Sequence, residues 1–440
     1  MADNELLVGV PRLGWFIDGD PSTDEIAVML QDTGTAIQLT VPLKGMFAHH
    51  DPYGRWWSRG IEYGDDPDRT RFSYKPPRVL LVHDSNGPVA LVGCRPGGSI
   101  SSPSAGQGQI VATFAVFGAS TLKYETIHGL RTEIPALAAW TRLSSMDVEV
   151  VHNDNSRVQS VRMTLTDAPA VSLTRSMNLK MHSSWRTESP RGSFLAFEGV
   201  KLDTTLREPR SWEEHLEVHR AVLDLVSLAA WAPFGYSQVE VHRADDSHED
   251  GGERWLGVAS HRLPKHEPWS DEPLFLFPYA EIGPRGIRRW LKLRKTYGQA
   301  IGPLLSILRS EDRWSPASLV QSGIALEALG FLVDVTKNGG ANLNSRKQMN
   351  FKPGLQVILD DMNVKPFDDT SSWIARADDA YMGTKHPDRP EPDTLVALNT
   401  LRESILVLRY WIALEIGVSG ESLSQRLGSD PLSREWVMSD

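Results

Sequence analysis

The chain holds one cysteine, Cys94, among its 440 residues. A lone thiol can form neither an internal disulfide nor a thiolate metal cluster, so a disulfide scaffold is excluded and a reducing cytoplasm is the fitting compartment. Long apolar runs are also scarce. The two best stretches, 319–335 and 405–418, are interrupted by Gln321, Glu327 and Asp334 and by Arg409 and Glu415, so no membrane span is predicted. The opening residues Met1 to Leu7 lack a basic segment and do not read as a signal peptide. Basic charge is in deficit too, with 46 Lys and Arg against 56 Asp and Glu and a formal net charge of -10. Such a chain does not coat nucleic acid along its whole surface, and any contact of that kind must come from a local basic patch. Internal repeats and low-complexity tracts are absent from the sequence.

Core-forming material is plentiful, at 40% hydrophobic and 23% charged residues, which excludes a mainly disordered protein. The first half reads as strands. Glu25–Leu30, Ala36–Val41, Arg78–His83, Pro88–Gly93, Gln109–Phe117, Asp147–Val151, Ser160–Leu165 and Val171–Thr174 are short and rich in β-branched or aliphatic residues. Turn-forming residues separate them, as at Asp32-Thr-Gly34 and Asp84-Ser-Asn-Gly87. This spacing predicts an antiparallel sandwich or barrel-like domain, with strands to about residue 205.

The pattern changes near residue 210. Ser211-Trp-Glu-Glu214 is a capping box that predicts a helix over 211–231, stopped by Pro233 and Gly235. Two strand-like runs, Tyr236–Arg243 and Trp255–His261, flank the acidic segment from Ala244 to Glu253, expected to be a solvated hairpin loop. From Pro284 the chain reads as helical. Ser315-Pro316 starts a helix that ends at Asn338-Gly-Gly340, others span 354–362 and about 370–385, and Leu398, Leu401, Ile405, Leu408 and Ile412 stripe the last one up to Gly417. The fold class is therefore α+β: a β-rich unit over 1–283, a helical bundle over 284–425 and a tail over 426–440.

One arrangement stands out for chemistry. Arg376, Lys385, His386 and Arg389 gather near the end of the 370–385 helix, and Pro387 sets His386 where that helix stops. An imidazole that trades protons beside fixed cations is what cleavage of an RNA phosphodiester requires. A second feature is basic: Arg285, Arg288, Arg289, Lys292, Arg294 and Lys295 occur with no acidic residue among them, most on one helix face. They form either a phosphate track or a solvated face.

Other features point to structure. His215 and His219 lie one turn apart, but no third ligand is apparent, so they read as helix-surface histidines and no metal site is expected. His49-His-Asp51 leads into Tyr53-Gly-Arg-Trp-Trp57, read as a packed loop lid, with stacking on a ligand as the other reading. Gly93-Cys-Arg-Pro-Gly-Gly98 lacks a following helix and reads as a turn. Glu327, in an apolar helix, is expected to need a cationic partner, either a site residue or Arg402.

The segment Ile324-Ala-Leu-Glu-Ala-Leu-Gly-Phe331, the run from Tyr381 to Arg389 and the final long helix resemble the HEPN superfamily. The whole chain resembles ApeA-type anti-phage HEPN proteins, on Gly14-Trp-Phe16, the Asp24–Leu39 hairpin, and the Glu208–Trp231 helix followed by Tyr236-Ser-Gln-Val-Glu-Val241. The resemblance implies a metal-independent ribonuclease with no cofactor that acts as a homodimer on RNA, with tRNA a candidate, in abortive infection. It makes His386 the catalytic histidine and Arg376 its nearest upstream arginine, and a phage protein the trigger. The stretch from Arg376 to His386 is longer than the family pattern and Ala377 follows the arginine. In an unbroken helix it spans about 15 Å. Gly383 could shorten that distance, Lys385 could replace the arginine, or a second copy could supply the cation. Without catalysis, the resemblance implies a HEPN module that binds RNA, a nucleotide or a partner protein.

Overall fold

The computed structural model describes residues 4–20, 25–45, 53–57, 76–248 and 250–437. The first part runs β1 (Arg12–Ile17), β2 (Ala27–Asp32), β3 (Ile37–Leu43), a 3-10 turn at Gly54–Trp57, β4 (Val79–Asp84), β5 (Gly87–Val92), β6 (Arg95–Ser101), β7 (Gly106–Ala112) and β8 (Phe114–Phe117). It continues with β9 (Thr126–Glu133), α1 (Pro135–Thr141), β10 (Met146–His152), β11 (Val158–Leu165), β12 (Val171–Ser172), β13 (Lys180–Glu188), β14 (Leu195–Ser211), α2 (Trp212–Ala230), β15 (Gln238–His242) and β16 (Trp255–Ala259). Helices follow: α3 (Tyr279–Thr296), α4 (Gly298–Arg309), α5 (Pro316–Lys337), α6 (Phe351–Asp361), α7 (Thr370–Lys385), α8 (Thr394–Ile416) and α9 (Gly420–Leu427).

The α+β expectation holds. The strands form a 14-stranded antiparallel sheet in the order β12-β13-β14-β9-β15-β16-β8-β5-β4-β1-β2-β3-β7-β6, with β10 and β11 as a separate hairpin. The sheet serves two cores. Leu80, Val82, Val89 and Leu91 of β4 and β5 point into one with Phe16, Leu30 and Leu39. Leu81, Ala90 and Val92 point the other way, into a core closed by α2 and the helices. Burial on both faces is why these strands read as continuous apolar runs instead of alternating ones. Tyr53 packs edge-on against Phe16 at 4.9 Å, and the Trp57 indole donates to the Gln109 carbonyl, so this aromatic turn is a packed lid. His49, His50 and Asp51 lie outside the described residues.

Two local expectations change, and a third stretch, called as strands, forms a separate hairpin. Only Gly93 makes a turn, with φ of 68°, and Arg95 already begins β6. The acidic segment after β15 is not simply solvated, because buried Asp246 accepts from the Ser120 backbone N–H and hydroxyl and from the Tyr124 hydroxyl. The β10–β11 hairpin exposes Val148, Val150, Val161 and Met163, paired across the two strands on a single face.

At 283 the chain kinks, with Gly283 at φ 51°, and Pro284 restarts the helix. The core nevertheless runs across this point. The Trp290 indole of α3 donates to the Ala221 carbonyl of α2 at 2.7 Å. Buried Arg409 of α8 donates to the Leu228 and Ala229 carbonyls at 2.8 and 3.0 Å and pairs with Asp430. Asp430 and Leu432 are themselves buried, so the segment expected as a tail packs onto the bundle. Among the described helices α5 alone is long and apolar enough to cross a membrane by composition, contrary to the expectation for 319–335, and half of that stretch is buried inside the protein.

Candidate functional site

Helix α7 starts on the Asp369 carboxylate, which accepts the Ser372 N–H, and ends at His386, whose backbone is extended. The helix is unbroken, so Gly383 does not shorten it. Gly383 instead lets the returning chain approach, since a Cβ there would sit 2.4 Å from the Pro390 carbonyl oxygen. The His386 N–H donates to Met382 O at 2.9 Å and its carbonyl accepts from Arg389. Its imidazole is half-buried and has no hydrogen-bond partner among the described residues.

Beside it the Lys385 ammonium donates to the Tyr381 hydroxyl at 2.9 Å, and that hydroxyl donates to Glu327 of α5 at 3.1 Å. The bond to Tyr381 raises the Lys385 pKa. Burial raises that of Tyr381, with Glu327 adding to it. Glu327 is therefore an exposed residue tied to Tyr381, and the expectation of a buried carboxylate is corrected. Arg402 turns elsewhere, donating to the Leu432 carbonyl at 2.8 Å. An open cavity of about 510 Å³ adjoins Glu327, lined also by Ile324, Phe331 and Met349.

Arg376 does not meet His386 within one chain. Its guanidinium donates to both carboxylate oxygens of buried Glu403 of α8, each at 3.0 Å. The structure thus gathers Lys385 and His386 and ties Arg376 to a carboxylate. Tyr381 and Glu403 are the neighbours that the sequence did not assign, whereas Glu327, expected to pair with a site residue or Arg402, joins the site through Tyr381. Tyr381 and Lys385 sit one turn apart, which was the available signal.

The basic stripe of α3 divides. Arg289 donates to Ile416 O at the end of α8. Arg294 pairs with buried Asp224 of α2 at 2.7 Å, and Arg309 pairs with the same carboxylate. Burial raises the Asp224 pKa against the opposing pull of the two arginines. Arg288, Lys292 and Lys295 remain together, facing α2 across a cavity, so the six cations do not form one continuous track.

His215 and His219 are not on the surface. Both are fully buried between α2 and the sheet, and the Thr204 hydroxyl lies 2.7 Å from His215 Nδ1 and 3.1 Å from His219 Nε2. Among the described residues no group of His, Cys, Asp and Glu could hold a metal ion. Cys94 is buried, which pushes its thiol up to about 12.

These features define a protein with a large antiparallel sheet joined through a shared core to a helical bundle. A family model described as ApeA N-terminal domain 1 matches residues 11–290, and the chain belongs to that family. It takes its place among anti-phage defence proteins. No curated protein and no solved structure matches the chain.

Proposed function

We propose that this defence protein acts through its helical part as a HEPN ribonuclease that cuts RNA without a metal and works in the cytoplasm as a homodimer, with the β domain responding to a phage protein. The supporting observation is the unengaged imidazole of His386 at the end of α7, next to the Lys385 ammonium. His386 takes the proton of a 2′-hydroxyl, whose oxygen attacks the neighbouring phosphorus. The P–O5′ bond breaks, leaving a 2′,3′-cyclic phosphate, and the leaving oxygen takes a proton from the acid on its far side. Lys385 neutralises the charge that builds on the phosphate oxygens. Within one chain about 15 Å of helix separates His386 from Arg376, so a second copy is the source of the further acid and cation.

A specific observation favours the non-catalytic reading, in which the module binds RNA, a nucleotide or a partner protein. The Arg376 charge is already matched by Glu403. Cleavage of total cellular RNA and tRNA in EDTA, with wild type beside His386→Ala, separates the two. The ribonuclease reading expects cyclic-phosphate ends from wild type alone, with the melting temperature of the variant unchanged. Absence of cleavage even in lysate from infected cells would sink that reading.

A further inference from the structure

Between α2, α3 and the loop at 174–177 lies an open cavity of about 750 Å³, within the size range of small-molecule sites. Its α3 wall presents Arg288, Lys292 and Lys295, and Glu217 of α2 faces them. Val218 and Leu291 supply apolar surface between the two walls. Neither lysine has an ion-pair partner among the described residues, whereas Arg294 beside them is matched by Asp224. The Arg288 guanidinium is steered by the Leu173 carbonyl, which it contacts at 3.2 Å. Three cations gathered on one wall, two of them without an ion-pair partner, mark a place for an oxygen-rich anion.

We propose that this groove binds a nucleotide. Its phosphates lie against Arg288, Lys292 and Lys295. The sugar rests on Val218 and Leu291, and its hydroxyls, or an amino group of the base, donate to Glu217. A long RNA fits less well, because phosphates continuing across the groove meet the carboxylates of Glu217 and Glu214. The ligand touches α2 beneath the sheet and α3 of the bundle at once, so binding bears on the seam between them. This proposal stands independently of the ribonuclease reading, since it concerns binding and needs no cleavage.

Calorimetric titration of the full chain with ATP, GTP and inorganic pyrophosphate tests it. ATP or GTP binds, and Lys292→Glu together with Lys295→Glu weakens that binding about tenfold or more, equivalent to about 1.4 kcal/mol for each tenfold. Arg285→Glu, on exposed α3 surface outside the groove, leaves it unchanged. Glu217→Gln weakens nucleotide binding and spares pyrophosphate. An unchanged melting temperature, with Lys292→Gln as the milder variant, shows that the loss is local. The proposal is overturned if neither nucleotide binds, if pyrophosphate binds as tightly as both, or if the lysine pair makes no difference. An RNA oligonucleotide that depends on the lysine pair while ATP and GTP do not bind overturns it in favour of a phosphate track.

Discussion

At the scale of single residues, the buried histidines of α2 carry a definite proton arrangement. His215 Nε2 faces the Ile127 carbonyl at 3.2 Å and must donate to it, so Nδ1 accepts the Thr204 proton. Thr204 then accepts from His219 Nε2, and His219 Nδ1 accepts from Thr132 at 2.8 Å. Both rings are neutral in this arrangement. Burial lowers the pKa of each, that of His219 to about 3. The unfolded chain therefore binds more protons below its ordinary histidine pKa of about 6.5. The contribution is fully present above that value and lost as pH falls from it towards about 3. At about pH 5 the loss from His219 alone is expected to be about 2 kcal/mol. His219→Gln should flatten the stability profile between about pH 7 and pH 5 in denaturant titrations, and an unchanged slope would refute the neutral buried ring. Helical spacing showed that the two histidines share a face. It could not show that Thr132 and Thr204, on paired strands, would turn inward to satisfy them.

At the scale of elements, the approach of α5 to α7 is set by one missing side chain. A Cβ on Gly323 would lie 2.2 Å from the Tyr381 ring, which is buried. Gly302 of α4 has open space where its Cβ would be. Gly323→Ala is expected to destabilise by about 1–3 kcal/mol through overpacking. Gly302→Ala is expected to stabilise by up to about 1 kcal/mol through helix propensity. Chemical denaturation of both variants checks the pair, and a neutral Gly323→Ala would contradict the packing of Tyr381 between the helices.

Helix ends were the most legible elements, because capping chemistry is local. The Ser211 hydroxyl and Glu214 carboxylate cap each other's amides, Ser315 caps α5, and Gly417 closes α8 at φ 106°. Strands rich in β-branched and aliphatic residues were read, both the buried β4 and β5 and the more exposed β2, β3, β10 and β11. Strands carrying more polar or charged residues, such as β9, β13 and β14, were missed. The 17-residue β14 alternates Val200, Leu202 and Thr204 with Lys201 and Asp203, and its lysine and aspartate masked it. At the candidate site the cluster at the end of α7 was visible from Pro387. The engagement of Arg376 was not, because Glu403 is far along the chain and only the packing of α8 on α7 brings it near.

At the scale of the molecule, the sheet and the bundle share one core. Calorimetry is expected to show a single cooperative transition. Arg409→Leu would leave the buried Asp430 carboxylate without its cation and the Leu228 carbonyl without its donor, which costs about 3–5 kcal/mol and lowers that one transition. Two separate transitions, with only the bundle shifted, would show instead that the parts fold independently.

The seam also bears on how such a chain can change by recombination. A crossover at the Gly283 kink, where the chain looks easiest to cut, would replace Trp290 and leave the Ala221 carbonyl of α2 without its donor. It would also leave the α2 carbonyls at Leu228 and Ala229 without the Arg409 that caps them. A foreign bundle is therefore expected to fit this sheet only when it comes together with its own α2.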